Sequence, residues 1–519
     1  MKHKITFFIF VLFCLQTICV HCSVVSPSKK VPKVVETEKE LVDQVKKTKD
    51  ILDKAKNEKK DKKSKEEAKK KIAIDEHKPA YAMRPTKEGK RRFEFHIIGG
   101  LSTESFYDSR QVFGFWHDQV PLIPLRPKLD PRGCDINDKD QLNMLGFRTC
   151  IGLHVKGPQL WGAKTSVVVE GEFNGLPSGD INDPSISRFE RVRLDTTRLF
   201  RLERAHFNFV WRNTNLLAGH YYHPLVLDEV FPETISRSHG RGYDPFDYHP
   251  QIKLRHRIDN FEGVLAVSKR FYDEGARLAA TPDLFGQLNF HINDKHILGA
   301  GINYHVQVPR LATDAGYKTT EHISSIYPFV FALIKARQFD IKARFTYLEN
   351  GSQYNIMGSY GVTQRNEATD EWRLTNIRTL SFWTEFIYKK FSKVEPALFV
   401  GISKNIGSSE NIIKGYSTTI TEDCVERDIC VPLLDRSILF YPDYMFILAP
   451  RIRARFGNFT LGAEIEFVRA AFAKTRFDED GWENDYDNRF RIVNTVSVSN
   501  FRFLLATFYH FDYIPFSWK

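Results

Sequence analysis

The sequence predicts an all-β protein: a transmembrane antiparallel β-barrel of about 16 strands, with 18 as the alternative, behind a short N-terminal helical or coiled-coil segment. Three observations point there. From residue 92 onward, short runs place apolar or aromatic side chains at every second position; Phe459-Thr-Leu-Gly-Ala-Glu-Ile-Glu-Phe467 puts Phe, Leu, Ala, Ile and Phe on one face and Thr, Gly, Glu and Glu on the other. Strand side chains alternate with period two, so each run has an apolar surface and a polar one. After the N-terminus no apolar stretch reaches the roughly 18 residues a membrane helix needs, and mean hydropathy is only −0.36. Finally, the connections alternate between tight turns and long polar loops, as in membrane barrels.

The first element is a leader. Met1–Cys22 has a basic start (Lys2, His3, Lys4), an apolar stretch (Ile5 to Val20) and small residues near Cys22-Ser23, the pattern of a secretory signal peptide over 1–22. Lipidation at Cys22 wants small residues just before it, where His21 and Val20 stand. Residues 23–91 are a charged periplasmic segment and linker. Leu41, Val45, Leu52 and Ala55 form a short, imperfect a/d seam, which reads either as a trimerising helix or as a solvated linker. Ser23–Arg92 carries 23 Lys/Arg against 13 Asp/Glu, which accounts for most of the formal +11. A basic excess confined to a tail argues against a nucleic-acid partner, and the barrel region, 92–519, is balanced.

Seventeen runs qualify as strands: 92–103, 145–155, 165–174, 198–211, 216–222, 251–259, 261–271, 285–292, 297–309, 324–337, 339–348, 375–388, 396–404, 445–456, 459–472, 490–499 and 501–513. Bacterial single-chain barrels have even strand numbers, so one run is surplus or one is missing. Gly457-Asn458, Asn260, Asn293-Asp294 and Asn500 read as tight periplasmic turns. The polar stretches 351–374, 407–438 and 475–488 read as extracellular loops.

Phasing each strand by its apolar set assigns the lumen. With Ile252, Leu254 and Ile258 facing lipid, Lys253, Arg255 and Arg257 face inward; with Phe446, Leu448, Ile452 and Phe456 out, Arg451, Arg453 and Arg455 face in. The same logic places Lys342, Arg344, Arg148, Arg204 and Arg491 inside, together with Glu170, Glu172, Glu464 and Glu466. The opposite phase would put Arg against lipid at about 2–4 kcal/mol each near mid-bilayer. A basic wall favours anions. Alternatively these cations pair with the four glutamates and stiffen a plugged wall.

The connection 222–250 is unusually long and carries Asp228, Glu229, Glu233, Arg237, Arg241, Asp244 and Asp247. Folded inward, it would set carboxylates opposite the basic wall and produce a transverse field at a constriction; the alternative is an ordinary extracellular loop. His220, His223, His239 and His249 bracket it, but no fixed spacing supports a metal site, and no metal or cofactor is expected. No nucleophile–base arrangement marks an enzyme. In an oxidising compartment, Cys134–Cys150 and Cys424–Cys430 are the disulfide candidates.

The stretch Arg201-Leu-Glu-Arg-Ala-His-Phe-Asn-Phe-Val-Trp211, followed by Asn215-Leu-Leu-Ala-Gly-His220, resembles a strand pair of the bacterial outer-membrane porins, most closely the DcaP-like trimeric type with its N-terminal coiled coil. Ala205-His206 stands in reversed order, and His220 replaces the usual Gln. The resemblance implies a homotrimer of 16-stranded barrels with the connection after the fifth strand folded into the lumen. It would put Asp228, Glu229 and Glu233 on that loop and Arg204 and Arg255 on the facing wall. The C-terminus departs from the family: it ends Phe516-Ser-Trp-Lys519, with Pro515 expected to interrupt the last strand.

The sequence thus reads as an outer-membrane diffusion porin, not an enzyme, in contact with membrane lipid and passing small polar or anionic solutes. The first rival is a non-conducting structural or adhesive barrel of the same membrane. The second is a secreted, soluble, β-rich carbohydrate-binding protein.

Overall fold

The structure is a computed structural model, and it describes residues 93–115, 120–146, 149–175, 199–236, 238–270, 274–293, 295–391, 393–413, 442–474 and 485–518. The expected signal peptide, the helical segment 23–91, Arg148, Arg237 and the Cys424–Cys430 pair lie outside these residues.

Sixteen strands close into an antiparallel barrel. They are β1 (Phe93–Asp108), β2 (Gln141–Leu145 continued by Thr149–Lys156), β3 (Lys164–Gly175), β4 (Leu199–Val210), β5 (Thr214–Tyr222), β6 (Tyr248–Ile258), β7 (Phe261–Ser268) and β8 (Asp283–Ile292). The circuit continues with β9 (His296–Gln307), β10 (Ile323–Lys335), β11 (Phe339–Glu349), β12 (Trp372–Tyr388), β13 (Val394–Ser408), β14 (Pro442–Phe456), β15 (Phe459–Ala473) and β16 (Thr495–Trp518). Both pieces of β2 pair with β1, so they are one interrupted strand. A further strand, Tyr360–Arg365, pairs only with the outer end of β12 and stays outside the circuit. β1 meets β16 in register from Phe93 opposite Trp518 to Asp108 opposite Arg502, which leaves the sheet no open edge.

The surplus seventeenth run is explained by Asn500. Residues 490–499 and 501–513 are not two strands around a turn: β16 runs through Asn500, whose side chain is buried and donates 2.7 Å to Asp108 Oδ1. An isolated asparagine suits a turn and a polar lumen equally, and here the lumen claims it. Pro515 does not end β16 either. Pairing with β1 continues to Trp518 across a register shift between Phe95 and Ile97, the kind of irregularity that tolerates a residue without an N–H.

Tight connections follow every even-numbered strand up to β14, and long ones follow every odd-numbered strand. Left-handed backbone at Asp259, Asn293 and Gly457 makes three of the tight turns, as hairpin loops of two or three residues require. The outward positions are apolar and exposed, with Ile252, Leu265, Leu288, Val330 and Ile452 among them. Aromatic pairs gather at the tight-turn end, including Trp161 with Phe209, Phe261 with Phe290 and Tyr388 with Phe391. A continuous apolar belt with an aromatic edge is the surface a bilayer requires. The buried core, unusually, lies inside the cylinder, where loop residues Leu225, Val230, Tyr243, Tyr354 and Ile356 pack against wall residues Phe329, Trp383, Phe399 and Ile447.

Candidate functional site

Strand alternation delivers the expected cations to the interior. On β6, Lys253 is buried and Arg255 largely so, while Ile252 and Leu254 on either side are exposed. Lys342 and Arg344 on β11 and Arg451 and Arg453 on β14 are buried in the same way, as are Glu170, Glu172, Glu464 and Glu466. Arg204, Arg257 and Arg455 are half-buried. Arg257 lies near the tight-turn end, where its Nε donates to the Asp259 carbonyl.

Residues 223–247 leave β5, enter the barrel, cross it and return to β6. The crossing is held at both stems and at its far tip. Near the first stem Lys253 Nζ donates 3.2 Å to Asp228, and Arg255 donates 2.5 Å to Glu229. In mid-span Lys342 Nζ donates to the Phe231 carbonyl and to Glu233 Oε1, at 2.7 and 2.6 Å, and Arg453 reaches Glu233 Oε2 at 3.2 Å. The tip is received by acceptors on β15: the N–H groups of Ile235 and Ser236 donate to Glu464 at 2.8 and 3.2 Å, and the Ser236 hydroxyl donates to Glu466 at 2.6 Å. The Ile235 side chain packs against Phe106 of β1 and Leu504 and Ala506 of β16.

The chain turns back at His239, Gly240 and Gly242, all with left-handed backbone. A Cβ on Gly240 would meet Pro232 at 3.0 Å, so the turn needs glycine for space as well as for conformation. On the return, Asp244 accepts from Arg344 at 3.0 Å and from the Trp383 indole at 2.7 Å. Ser381 and Ser403 donate to the carbonyls of Tyr243 and Gly242. A second loop, 350–359, runs beside it: the Gly242 N–H donates to the Asn355 carbonyl at 2.9 Å, and Asn355 donates to the Phe246 carbonyl at 2.7 Å.

The electrostatics differ from the expected transverse field. Asp228, Glu229 and Glu233 do not face the basic wall across open space; they touch it, and the charges cancel in contact. Burial opposes ionisation of Asp228, yet Lys253 and Arg255 beside it hold its carboxyl below the ordinary value. For Asp244 burial outweighs Arg344 and Trp383, and its pKa is pushed up to about 6. Arg241 is buried with its guanidinium 3.7 Å from the centre of the Phe246 ring.

The wall from β2 to β4 is arranged differently. Glu170 accepts from His154 at 2.6 Å and pairs with Arg204, while Arg201 donates 3.2 Å to Glu172. These partners sit on neighbouring strands rather than on the loop. Between this wall and the first stem lies a small recess, with a volume of about 10 Å³, lined by His206, Asn208, Asn215, Leu217, Tyr221, Asp228, Lys253 and Arg255.

Two further sequence expectations fail. Arg491 is not on a lumen strand; it precedes β16 in an exposed turn and pairs with Asp487 at 2.6 Å. No disulfide joins Cys134, exposed in the connection after β1, to Cys150, half-buried on β2. Other inward groups were missed though their signal was present. Outward Phe382 and Phe386 on β12 imply an inward Glu385, which accepts from Arg451 at 2.6 Å and pairs with Lys342 at 3.3 Å. Outward Phe501 likewise implies an inward Arg502, which donates 2.6 Å to Asp108.

No family model matches the chain, and no curated protein matches it either. Among solved structures it is similar to an anion-selective porin from Comamonas acidovorans, at 8% identity and TM-score 0.44 over 81% of this chain and 100% of that one. It is similar to the outer-membrane protein OmpT of Vibrio cholerae, at 10% identity and TM-score 0.42 over 82% and 100%. It is also similar to Salmonella typhi OmpF in complex with daunomycin, at 10% identity and TM-score 0.44 over 80% and 97%.

Proposed function

We propose that the chain is a porin of the bacterial outer membrane: a passive diffusion channel, narrowed by its own inward loop, for small polar or anionic solutes. The observation that carries this reading is a closed barrel, apolar outside and charged inside, whose connection 223–247 crosses the lumen instead of capping it. A loop in that position sets the bore of a pore. The route is the side of the loop facing β2 to β4, where Lys253, Arg255, His206, Asn208 and Asn215 line the recess. Lys253 and Arg255 are offset there by Asp228, Glu229 and Glu262, so a preference for anions would follow from the balance of charge along the route. A homotrimer, and a trimerising role for residues 23–91, belong to the same proposal.

The second reading, a barrel that does not conduct, is favoured by the apolar packing of Leu225, Tyr243 and Tyr354 inside the cylinder. Single-channel recording on purified protein in a planar bilayer separates the two. Steady steps with a reversal potential shifted toward the anion potential in a salt gradient are expected. Silence at every voltage, from protein whose gel mobility is heat-modifiable and therefore folded, would overturn the channel.

A further inference from the structure

His223 follows the last residue of β5, His249 is the second residue of β6, and Asp283 is the first of β8. The inward loop thus begins and ends at a histidine, and the two meet at one carboxylate. All three side chains are buried, with relative exposures of 0%, 1% and 3%. His223 Nε2 lies 3.4 Å and His249 Nδ1 3.9 Å from Asp283 Oδ2, and the three ligand atoms fall within 4.8 Å of one another. Ligands at roughly 2.0–2.1 Å from a tetrahedral zinc ion are about 3.4 Å apart.

Three further features point to a cation. His223 Nε2 is sealed from solvent and faces Asp283 at 3.4 Å, too long and poorly aligned for a good hydrogen bond. Asp283 has no Lys or Arg in contact: it accepts from His305 Nδ1 at 2.7 Å and from the Tyr354 hydroxyl at 3.0 Å, while Arg270 engages Asp247 and Gln353. A carboxylate this deep ordinarily pairs with a cation or binds a metal. His249 Nε2 donates 3.1 Å to Asp247, which in the neutral ring leaves Nδ1 as the lone-pair nitrogen turned toward Asp283. A carboxylate holding the far nitrogen is the usual way a metal-ligating histidine is oriented. The Leu225 N–H donates to His223 Nδ1 at 3.2 Å. Metal on Nε2 would require a proton on that nitrogen and give up this contact.

We propose that His223, His249 and Asp283 bind one divalent transition-metal cation of the zinc class, which fastens both stems of the inward loop to the barrel wall at β8. Imidazole donors select such ions over magnesium or calcium, and three protein ligands leave the fourth position to water. The site does not depend on whether the lumen conducts.

The test uses the full chain folded in detergent, exposed to zinc chloride and dialysed. Metal content by plasma mass spectrometry should be one zinc per chain, removable by EDTA. Zinc-edge X-ray absorption should show two imidazole rings and oxygen, with no sulfur. His249→Gln and Asp283→Asn, checked for heat-modifiable mobility, should each retain about tenfold less zinc or lower, whereas His291→Gln, at the other end of β8, should retain it. Zinc that fails to stay bound, a sulfur shell, or equal retention in both ligand variants would overturn the proposal. Should the variants not fold, absorption by the unaltered chain decides.

Discussion

The two charged walls of the lumen obey the same alternation and do different things. From β6 to β14 the cations are paired largely with carboxylates of the inward loop, Lys253 with Asp228, Arg255 with Glu229, Lys342 with Glu233 and Arg344 with Asp244. From β2 to β4 the partners are on adjacent strands, as with Glu170, His154 and Arg204. The first set fixes the inward loop, and the second stiffens a wall beside a small recess. A charge inside a barrel is therefore informative only once its partner is known, because strand phase dictates which way a side chain points and nothing about what meets it.

The largest effect should come from removing Arg344. Its guanidinium is 1% exposed and holds both Asp244 and the Leu225 carbonyl. Arg344→Met leaves a buried carboxylate without its cation, a loss of about 3–5 kcal/mol. The heat-modifiability midpoint should fall, and protease should cut the inward loop. A variant with an unaltered midpoint and a protected loop would show that the loop does not rely on this wall.

Next comes the latch on β15. Glu464→Ala deletes the acceptor of two backbone N–H groups at the loop tip, each bond to a charged group contributing about 1.5–3 kcal/mol. Partial release should raise single-channel conductance and current noise. If the unaltered protein is silent and this variant conducts, the second reading of the function gains and the loop is a plug. On the other wall, Glu170→Gln keeps an acceptor for His154 and Arg204 but removes the buried charge they hold, a cost of about 1.5–3 kcal/mol. Its effect belongs to selectivity: one fewer carboxylate should shift reversal further toward anions with the bore unaltered. A large conductance change from Glu170→Gln would erase the distinction between the walls.

Much of this architecture was legible in the sequence, for a definite reason. Period two leaves only one inexpensive phase against lipid, and Lys253, Arg255, Lys342, Arg344, Arg451 and Arg453 are buried or largely so, as that phase requires. Asn500 and Pro515 misled because turn residues have other uses: an amide satisfies a buried aspartate, and a proline fits an irregular register. Arg491 was read by phase in a stretch that is not a strand. The meeting of His223, His249 and Asp283 was out of reach, since it depends on a loop returning to its own origin and on the registers of β6 and β8. The loop carboxylates were expected opposite the wall, with a field between them; their direct contact with it was not foreseen, because sequence gives no distances across a lumen.

A third kind of charge cluster, at the rim, sharpens the comparison with an effect confined to low pH. Asp370 lies in the long connection between β11 and β12, where it accepts from Arg365 at 2.5 Å, Arg310 at 3.1 Å and the Trp372 indole at 3.1 Å. Burial opposes ionisation there, but these donors outweigh it and hold the Asp370 pKa down to about 2. Because the folded value lies below the unfolded value of about 3.9, the contribution is fully present above that pH and is lost as pH falls through 2. The Arg310 guanidinium stacks 3.5 Å from the centre of the Trp372 ring, so Trp372 fluorescence should report the change. The unaltered protein should hold its signal from pH 5 to 3 and lose it toward 2, while Asp370→Asn should give the low-pH signal throughout. A transition centred near pH 4 would mean the rim carboxylate is solvated like an ordinary surface group, and that tight pairing in this barrel is confined to its interior.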